Sequence, residues 1–590
     1  MNFLKAGMHK LPEYMQLRQA VESNALPAVA TGLSGIHKAT IINALVQDTN
    51  KTALLLAADE AEAQRICQDL TSMGLRSFIY PTRDFTFRNV ESASREYEHQ
   101  RIQVLSRILK HDCDVVVACM DAALQYTIPP NELEGRMIEL KKGQTVSLEQ
   151  VVQSLVRCGY VRAEQIDGTG QFAVRGGILD FFTPDAPYPV RIEFWGDEID
   201  TIGLFDLESQ RRTETVDAIM LAPSVEVLVD NPSELADKIE KHASSLRGKT
   251  APKAKEILQM ECDQLRNGRH FHCADKYITM LYDRTATLLD YFSLNDTLVF
   301  VSEFHKGKER IRTTQWQWAE DVKEYLEEGV LCRGLDTYSG DWIYIQSQLE
   351  KRSTVCLEAF VRGTYEVPVR TLLNITARQL SVWGGSIALL EEDLQAMQSS
   401  GLTCIVLGGT EKTASNIATD LKEKGLSVVY MPDMSEIPDK GVIITTGTLS
   451  AGMEFPAAGF GIITHGRHTG KAAAKKRKNK HAQELYSLSE LTVGDYIVHA
   501  SHGIGVFEGI HKINMQGVVK DYIKVRYAKK DTLYVPVTQL DLVSKYIGPR
   551  EDATVKLSKL GGQDWQKTKA RVRSAVKDMA KELIRLYAHI

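Results

Sequence analysis

Cysteine is scarce in this chain of 590 residues. There are nine cysteines, and no two of them have the Cys-x-x-Cys spacing that many structural zinc sites use. The scattered pattern excludes a disulfide-rich secreted domain and is typical of a reducing compartment. We therefore expect a cytoplasmic protein.

Long apolar runs are also missing. No stretch approaches the roughly 20 apolar residues that a membrane helix needs. Residues 1–16 contain Lys5, Lys10 and Glu13 and lack the apolar centre of a signal peptide. The sequence therefore predicts no membrane partner.

An excess of one charge is absent as well. Lysine and arginine number 71 against 76 aspartate and glutamate, which leaves a net charge of −5. The chain as a whole has no positive electrostatic field that would attract nucleic acid, so any contact with nucleic acid must be made by a local basic surface. The length predicts about four or five domains at roughly 150 residues each. Short apolar runs alternate with helical patterns, which predicts an α/β multidomain protein.

A damaged phosphate-binding loop follows the first apolar run of the chain. Such a loop needs glycines so that backbone N–H groups can surround the phosphates, a lysine for the β- and γ-phosphates, and a Ser or Thr hydroxyl for Mg²⁺. Gly32, Gly35 and Lys38 are present, but His37 replaces the last glycine and Ala39 replaces the hydroxyl residue. We predict a degenerate nucleotide site.

The second half of this site is damaged too. Residues 297–304 form an apolar strand at a place where a helicase-like motor carries Asp-Glu-x-His. In such motors the Asp orders Mg²⁺ and the Glu positions water. Here Ser302 replaces the Asp, while Glu303 and His305 remain. Two defects in one scaffold predict that this chain has no catalytic residues, hydrolyses no ATP and needs no Mg²⁺.

Two other groups of polar residues predict neither a metal site nor a catalytic site. Four potential metal ligands lie close together in the sequence: Cys262, His270, His272 and Cys273. Their spacing matches no common structural zinc site, so we predict no metal. His499 and His502 adjoin an expected glycine turn at residues 503–505 and have no nucleophile nearby. We expect them to stabilise that turn.

Composition and pattern divide the chain into seven segments. Residues 1–127 and 221–370 are predicted to form the two parts of a degenerate P-loop (RecA-like) domain, interrupted by an inserted mixed α+β domain at 128–220. The following segments are a small α/β domain at 371–466, a basic linker at 467–490, a small Tudor- or SH3-like β-barrel at 491–547, and a linker with a long C-terminal helix at 548–590. That helix has no stop signal, so we expect a further domain beyond it.

Two groups of motifs carry a family resemblance. GQFAVRGGILD at 170–180, RIEFWGDEID at 191–200 and FDLESQR at 205–211 resemble the domain shared by the B subunit of the nucleotide-excision-repair nuclease and the bacterial transcription-repair coupling factors. VGDYIVHASHGIG at 493–505 and LYVPV at 533–537 resemble the RNA-polymerase-interacting, CarD-like domain of the coupling factors. Together with KLGG at 559–562 they resemble the coupling-factor family over nearly the whole chain.

The resemblance implies two protein partners. The excision-repair A subunit is expected to dock on Arg175, Arg191 and Trp195; alternatively, Trp195 is a core residue and the arginines are ordinary surface charges. The β subunit of RNA polymerase is expected to contact a strand that carries His511, Lys512 and Ile513; alternatively, Ile513 belongs to the barrel core.

The family resemblance also implies ligands and a masking domain that lie mainly outside this chain. Double-stranded DNA, ATP and Mg²⁺ are expected mainly in a translocase motor that would follow residue 590. A C-terminal domain is expected to mask the A-subunit surface, so this chain alone should bind that subunit constitutively. Residues 80–97 are too short and polar for the DNA-clamping hairpin of the repair B subunit. We expect a monomer.

Three functions remain open. The first is a scaffold for transcription-coupled repair that binds stalled polymerase and recruits the A subunit. The second is an ATP-dependent helicase or an excision-repair B-like subunit. The third is a CarD-like transcription regulator without a repair role. Ser302, His37 and Ala39 favour the first function over the second.

Overall fold

The computed structural model describes residues 1, 3–88, 95–207, 209–268, 271–465, 482–484, 494–499, 503–515, 518–528, 531–536, 543–546 and 557–559. The chain divides into two compact units, Met1–His468 and Thr469–Ile590. Of the predicted basic linker at 467–490, the described residues are 482–484, which form a strand, while the predicted long C-terminal helix lies outside the described residues.

The first unit begins with alternating helices and strands. The helices are α1 (Phe3–Met8), α2 (Pro12–Glu22), α3 (Gly35–Thr49), α4 (Glu60–Met73), α5 (Glu96–Leu109), α6 (Met120–Leu124) and α7 (Pro130–Arg136). The strands are β1 (Ala28–Thr31), β2 (Thr52–Ala57), β3 (Ser77–Tyr80) and β4 (Val115–Cys119). Helix α4 has defined ends because the Asp59 carboxylate accepts a 2.8 Å hydrogen bond from the backbone N–H of Glu62, and Gly74 follows with φ 106°.

The inserted domain is a mainly antiparallel sheet with one helix. Its strands are β5 (Ile138–Lys141), β6 (Val161–Arg162), β7 (Gln171–Arg175), β8 (Ile178–Phe181), β9 (Val190–Trp195), β10 (Glu198–Phe205), β11 (Arg212–Val216) and β12 (Ala218–Leu221), and its helix is α8 (Leu148–Arg157). Six strands form one sheet in the order β11-β10-β9-β8-β7-β6. The entering strand β5 and the leaving strand β12 pair antiparallel, which closes the base of the insertion.

The chain then returns to the first sheet through a helical region. The helices are α9 (Pro232–Ser245), α10 (Ala251–Arg266), α11 (Ile278–Leu281), α12 (Phe304–Glu328) and α13 (Trp342–Glu350), with short 3-10 turns at Ala274–Tyr277 and Leu288–Tyr291. The strands are β13 (Thr297–Ser302), β14 (Ser353–Leu357) and β15 (Thr371–Asn374).

The first sheet is parallel throughout and has seven strands in the order β15-β1-β14-β13-β2-β4-β3. Strands β1, β4 and β13 are short apolar runs buried along their length, and β2 is buried after its first residue, as parallel strands covered on both faces must be. Because the strands are parallel, their carboxyl ends share one edge. The loop after β1 and the residues after β13 therefore lie at the same edge of the sheet, one on each side of β14.

The small α/β region packs directly on this sheet. It contains β16 (Arg378–Leu380), α14 (Ile387–Ser399), β17 (Thr403–Leu407), α15 (Glu411–Glu423), β18 (Val428–Tyr430), β19 (Val442–Thr445), β20 (Gly452–Phe455), a 3-10 turn at Pro456–Ala458, and β21 (Phe460–Thr464). Its mixed sheet has the order β16-β20-β21-β17-β19-β18. Ile405, Ile443 and Ile462 belong to the same apolar core as the first sheet, whereas Val406 and Ile444 face a second core.

The second unit is an antiparallel sheet. Its strands are β22 (Ala482–Glu484), β23 (Tyr496–His499), β24 (Gly503–Met515), β25 (Val518–Arg526), β26 (Thr532–Pro536) and β27 (Val543–Tyr546), in the order β22-β27-β23-β24-β25-β26. The expected turn at 503–505 is wrong, because Gly503 and Gly505 pair with His499 and Ile497 inside the β23–β24 ladder. A Cβ on Gly505 would lie 2.5 Å from Val525 Cγ1, so this glycine permits close packing.

Candidate functional sites

The loop after β1 keeps the shape of a strand-to-helix turn. Gly32 has φ 85°, and a Cβ on it would lie 2.1 Å from the Ile375 carbonyl oxygen. No other residue fits there without moving the backbone. Gly35 has open space around its missing Cβ, so packing does not require a glycine. Ala39 is fully buried in the core.

His37 closes this loop. Its Nδ1 accepts a 3.2 Å hydrogen bond from the Ser34 backbone N–H, and its Nε2 lies 3.2 Å from the Arg378 carbonyl oxygen. These partners assign the neutral tautomer with the proton on Nε2. Burial lowers the pKa of His37 to about 4, against a weaker opposing effect of the Arg378 hydrogen bond. An uncharged ring therefore occupies the place of the last glycine, and its edge packs on Phe455 at 5.2 Å between centroids.

Lys38 points inward, and protein groups surround its charge. Its Nζ lies 2.8 Å from Ser302 Oγ, 2.8 Å from Glu303 Oε1 and 3.3 Å from Glu62 Oε1. The side chain of Lys38 is 3% exposed. Ser302 in turn donates a 2.8 Å hydrogen bond to Glu62 Oε1. Two carboxylates thus supply the negative charge that phosphates supply to the lysine of an intact loop.

Glu303 is held in an unusual backbone conformation. It has φ 48° and ψ 62°, in the left-handed region, directly before α12. Its Oε1 also accepts a 2.8 Å hydrogen bond from the Ala359 backbone N–H. Burial opposes ionisation of Glu303, but the hydrogen bond and charge of Lys38 outweigh it, and the pKa is lowered. Its anion is therefore an internal partner of Lys38.

Sequence reasoning missed Glu62. The structure brings together the predicted residues Lys38, Ser302 and Glu303, and adds Glu62 from the first turn of α4. The available signal was its place three residues after the helix cap Asp59, which puts its carboxylate at the same sheet edge.

Beside this cluster lies a cavity of about 200 Å³ lined by Gly32, Leu33, Ser34, His37, Ala359, Ala377 and Gln379. Ligand pockets for drug-sized molecules usually measure roughly 300–1,000 Å³.

The inserted domain presents a second candidate site on the outer face of its sheet. Along β9, Val190 and Ile192 point into the domain core, so the alternate residues Arg191, Glu193 and Trp195 lie on the opposite face. Trp195 stands at the β9–β10 turn and is 84% exposed. The alternative that Trp195 is a core residue is therefore excluded by the structure.

The two predicted arginines differ in their surroundings. The Arg175 side chain is 52% exposed, and its Nη2 lies 4.0 Å from Asp180 Oδ2. The Arg191 side chain is 20% exposed and forms a bidentate pair with Asp180, with Nε–Oδ1 at 2.7 Å and Nη2–Oδ2 at 2.8 Å. The hydrogen bond to Asp180 raises the pKa of Arg191 further. Asp180, which sequence reasoning missed, thus connects both arginines.

The third candidate site is strand β24 in the second unit. His511, Lys512 and Ile513 lie in this strand opposite Tyr522, Asp521 and Lys520 of β25; their side chains lie outside the described part. Residues 503–506 also pair with β23. The Phe507 N–H donates to the Asp495 carbonyl, and the Phe507 carbonyl accepts from the Gly494 N–H, so the β23 side is occupied up to Phe507. Beyond it, β25 is the single neighbour of β24 among the described strands, so one backbone edge of 508–515 has no described ladder partner.

The remaining candidates show no active-site arrangement in the described residues. Within those ranges no group of three His, Cys, Asp or Glu side chains is placed to hold a metal ion. Cys262 and Cys273 are buried, and Cys262 donates a hydrogen bond to the Ala236 carbonyl, while His270 lies outside the described part. His499 is buried in β23, and His502 also lies outside. Among the helices that are described, none is long and apolar enough to cross a membrane.

Known proteins match this chain in two domains and along nearly its whole length. The family model of the UvrB interaction domain matches residues 138–226, and that of the CarD-like/TRCF RID domain matches residues 491–547. A transcription-repair-coupling factor of Bacillus subtilis is 31% identical over 574 residues, 94% of this chain and 48% of the relative. Coupling factors of Staphylococcus epidermidis and Staphylococcus aureus are 28% and 27% identical, each over 95% of this chain and 48% of their own length.

The chain thus spans about half the length of the curated relatives that it matches. The two domain matches contain the outer face with Trp195 and the strand β24, respectively. Over 94% of its length, this chain is similar to one half of the transcription-repair-coupling factors, and it contains both the UvrB interaction domain and the CarD-like/TRCF RID domain.

Proposed function

We propose that this chain is a docking scaffold for transcription-coupled DNA repair. It holds stalled RNA polymerase through residues 491–547 and recruits the nucleotide-excision-repair A subunit through the outer face of the inserted domain. The observation that carries the proposal is the presence, in one chain, of both matched domains, one of which presents the exposed indole of Trp195.

The chemistry of the outer face supports A-subunit docking. A tryptophan side chain that is 84% exposed loses contact with water only when a partner covers it. Tryptophan and arginine are the commonest residues that dominate binding energy in interfaces. Arg175 lies on β7, two strands from Trp195 on β9, and on the same face of the sheet. A partner with an apolar pocket beside a carboxylate would therefore engage both Trp195 and Arg175.

One backbone edge of residues 508–515 in β24 has no ladder partner among the described strands, and this edge supports polymerase binding. A strand of the polymerase β subunit could add to it, where main-chain hydrogen bonds would give affinity and alternate side chains would set the register. We propose that His511, Lys512 and Ile513 lie in this contact. The antiparallel pairing with β25 holds the strand extended for such addition.

The first sheet serves this scaffold as a platform without ATP chemistry. Lys38 is already paired with Glu62 and Glu303, and a phosphate group would have to displace a carboxylate to reach it. We propose that DNA translocation with ATP and Mg²⁺ is the work of a motor in the longer protein, outside this chain.

Titrations with both purified partners test the proposal. The chain is expected to bind the A subunit and the polymerase, each at a single site, and to show no ATP turnover on its own. Polymerase binding without A-subunit binding would favour a CarD-like regulator. ATP turnover that disappears in Lys38→Met would favour a helicase or B-like subunit.

A further inference from the structure

The Asp180 carboxylate lies at the centre of the outer face of the inserted domain. Its side chain is 4% exposed, and it faces Arg191 across the β8–β9 ladder. It binds the Nε–Nη2 side of that guanidinium with two short hydrogen bonds and lies 4.0 Å from the Arg175 guanidinium. One buried carboxylate therefore fixes the position of one arginine and attracts a second.

Two further contacts hold the Arg191 guanidinium in one plane. Its Cζ lies 4.5 Å from the centroid of the Phe205 ring, and Phe205 is fully buried in a small core with Ile166 and Ala173. Nη1 makes a long hydrogen bond of 3.4 Å to the Gln210 carbonyl. A guanidinium stacked on a buried ring and bound along one side cannot rotate freely.

The unused donors of Arg191 define what this arrangement can bind. A guanidinium has five N–H groups, of which Asp180 takes one on Nε and one on Nη2, and the Gln210 carbonyl takes one on Nη1. One N–H on Nη1 and one on Nη2 are left for a further acceptor. These two form a second fork, whose geometry matches another carboxylate.

We propose that Asp180 is a positioning residue that presets Arg191, and with it Arg175, to receive a carboxylate of the docked partner next to Trp195. This inference rests on the proposed docking of the excision-repair A subunit on the same face. Asp180 itself touches no partner: it acts by removing the rotational freedom that Arg191 would otherwise lose on binding.

A double-mutant cycle on A-subunit binding tests this role. Asp180→Asn keeps the size of the side chain but loses the charge and one of the two acceptors. We expect about a tenfold weaker affinity, since both preorganisation and the orientation of the fork are lost. Arg191→Ala is expected to weaken binding at least as much. In the Arg191→Ala background, Asp180→Asn is expected to have a much smaller further effect, because only the 4.0 Å contact with Arg175 remains.

The matched control is Asp185→Asn. Asp185 is a similarly buried carboxylate, ion-paired with Lys110, that lies in the chain after the C-terminal end of β8 and outside the strands of the outer face. It is expected to leave A-subunit affinity unchanged. Polymerase binding should also be unchanged in every variant, which reports only that the second unit is folded. An unchanged circular-dichroism spectrum reports that the inserted domain is folded.

The outcomes separate this inference from the proposed function. If the unmodified chain does not bind the A subunit, both are refuted. If it binds and Trp195→Ala abolishes binding, but Asp180→Asn binds normally, the role of Asp180 alone is refuted. The same conclusion follows if Asp180→Asn weakens binding equally with and without Arg191, since a general structural defect would act in both backgrounds.

Discussion

Replacing Lys38 by methionine is expected to destabilise the first sheet strongly. The substitution keeps much of the apolar stem but removes the only positive charge that directly contacts Glu62 and Glu303 in the described cluster. The exposed fractions of the three side chains are 3%, 11% and 7%, so water does not replace the lost partner. Breaking a buried ion pair from one side costs about 3–5 kcal/mol.

The loss of stability in Lys38→Met should depend on pH in a defined direction. In the unmodified chain the pKa of Glu303 is lowered below 4.5, so its pairing contributes stability above that value and loses it as pH falls through the folded-state pKa. In Lys38→Met the carboxylates can relieve the unpaired charge by taking up protons. The difference in free energy of unfolding between the variant and the unmodified chain should therefore shrink on acidification. Adding Glu303→Gln should restore part of the stability at neutral pH.

Hydrogen exchange measures this effect in a chain with several domains, where a single unfolding transition is not expected. At neutral pH the amides of β1, β13 and the first turns of α3 should exchange roughly two hundredfold to five thousandfold faster in Lys38→Met. Lys10→Met is the control, since the Lys10–Asp439 pair is exposed and worth little. Unchanged protection of β1 and β13 in Lys38→Met would refute the account of the closed nucleotide site.

Three other predictions concern single positions. His37 has a folded-state pKa of about 4 against an ordinary 6.5, so the unfolded state binds the proton first and stability should fall by roughly 3 kcal/mol as pH drops between these values. In His37→Gln, the local stability that hydrogen exchange reports for α3 should depend less steeply on pH over this range, and an identical pH dependence would contradict the assignment. Arg175→Ala combined with Trp195→Ala should abolish A-subunit binding in a titration while thermal unfolding stays the same; normal binding would remove these residues from the interface. Ile513→Arg should reduce capture by purified polymerase at least tenfold, as expected for a residue that dominates an interface, whereas undiminished capture would favour a location in the barrel core.

Local patterns identified the elements of the predicted nucleotide site but not their final contacts. The apolar runs and the defects at His37, Ala39 and Ser302 are visible along a few neighbouring residues. The partners of His37 and Lys38 are not: the Arg378 carbonyl lies 341 positions from His37, and Glu303 lies 265 positions from Lys38. Such contacts depend on strand order in the sheet, which periodicity does not specify.

The inserted domain shows the same division. Alternation along β9 places Arg191 and Trp195 on one face, and the family resemblance assigned them a role. Neither source identified Asp180, because an aspartate in a strand of aromatic and aliphatic residues has no local signature. Its importance follows from the ladder register that sets it opposite Arg191. The expected turn at 503–505 failed for a related reason, since glycine permits close strand packing as well as turns.

Recruitment of the A subunit to polymerase that already holds this chain tests the central claim most directly. Polymerase would be immobilised, saturated with the chain, washed, and then exposed to purified A subunit. The scaffold account predicts that A subunit is captured in proportion to bound chain, that Trp195→Ala loses this capture while remaining on the polymerase, and that polymerase without the chain captures none. Polymerase-bound chain that fails to capture A subunit, or capture that is unaffected by Trp195→Ala, would contradict it.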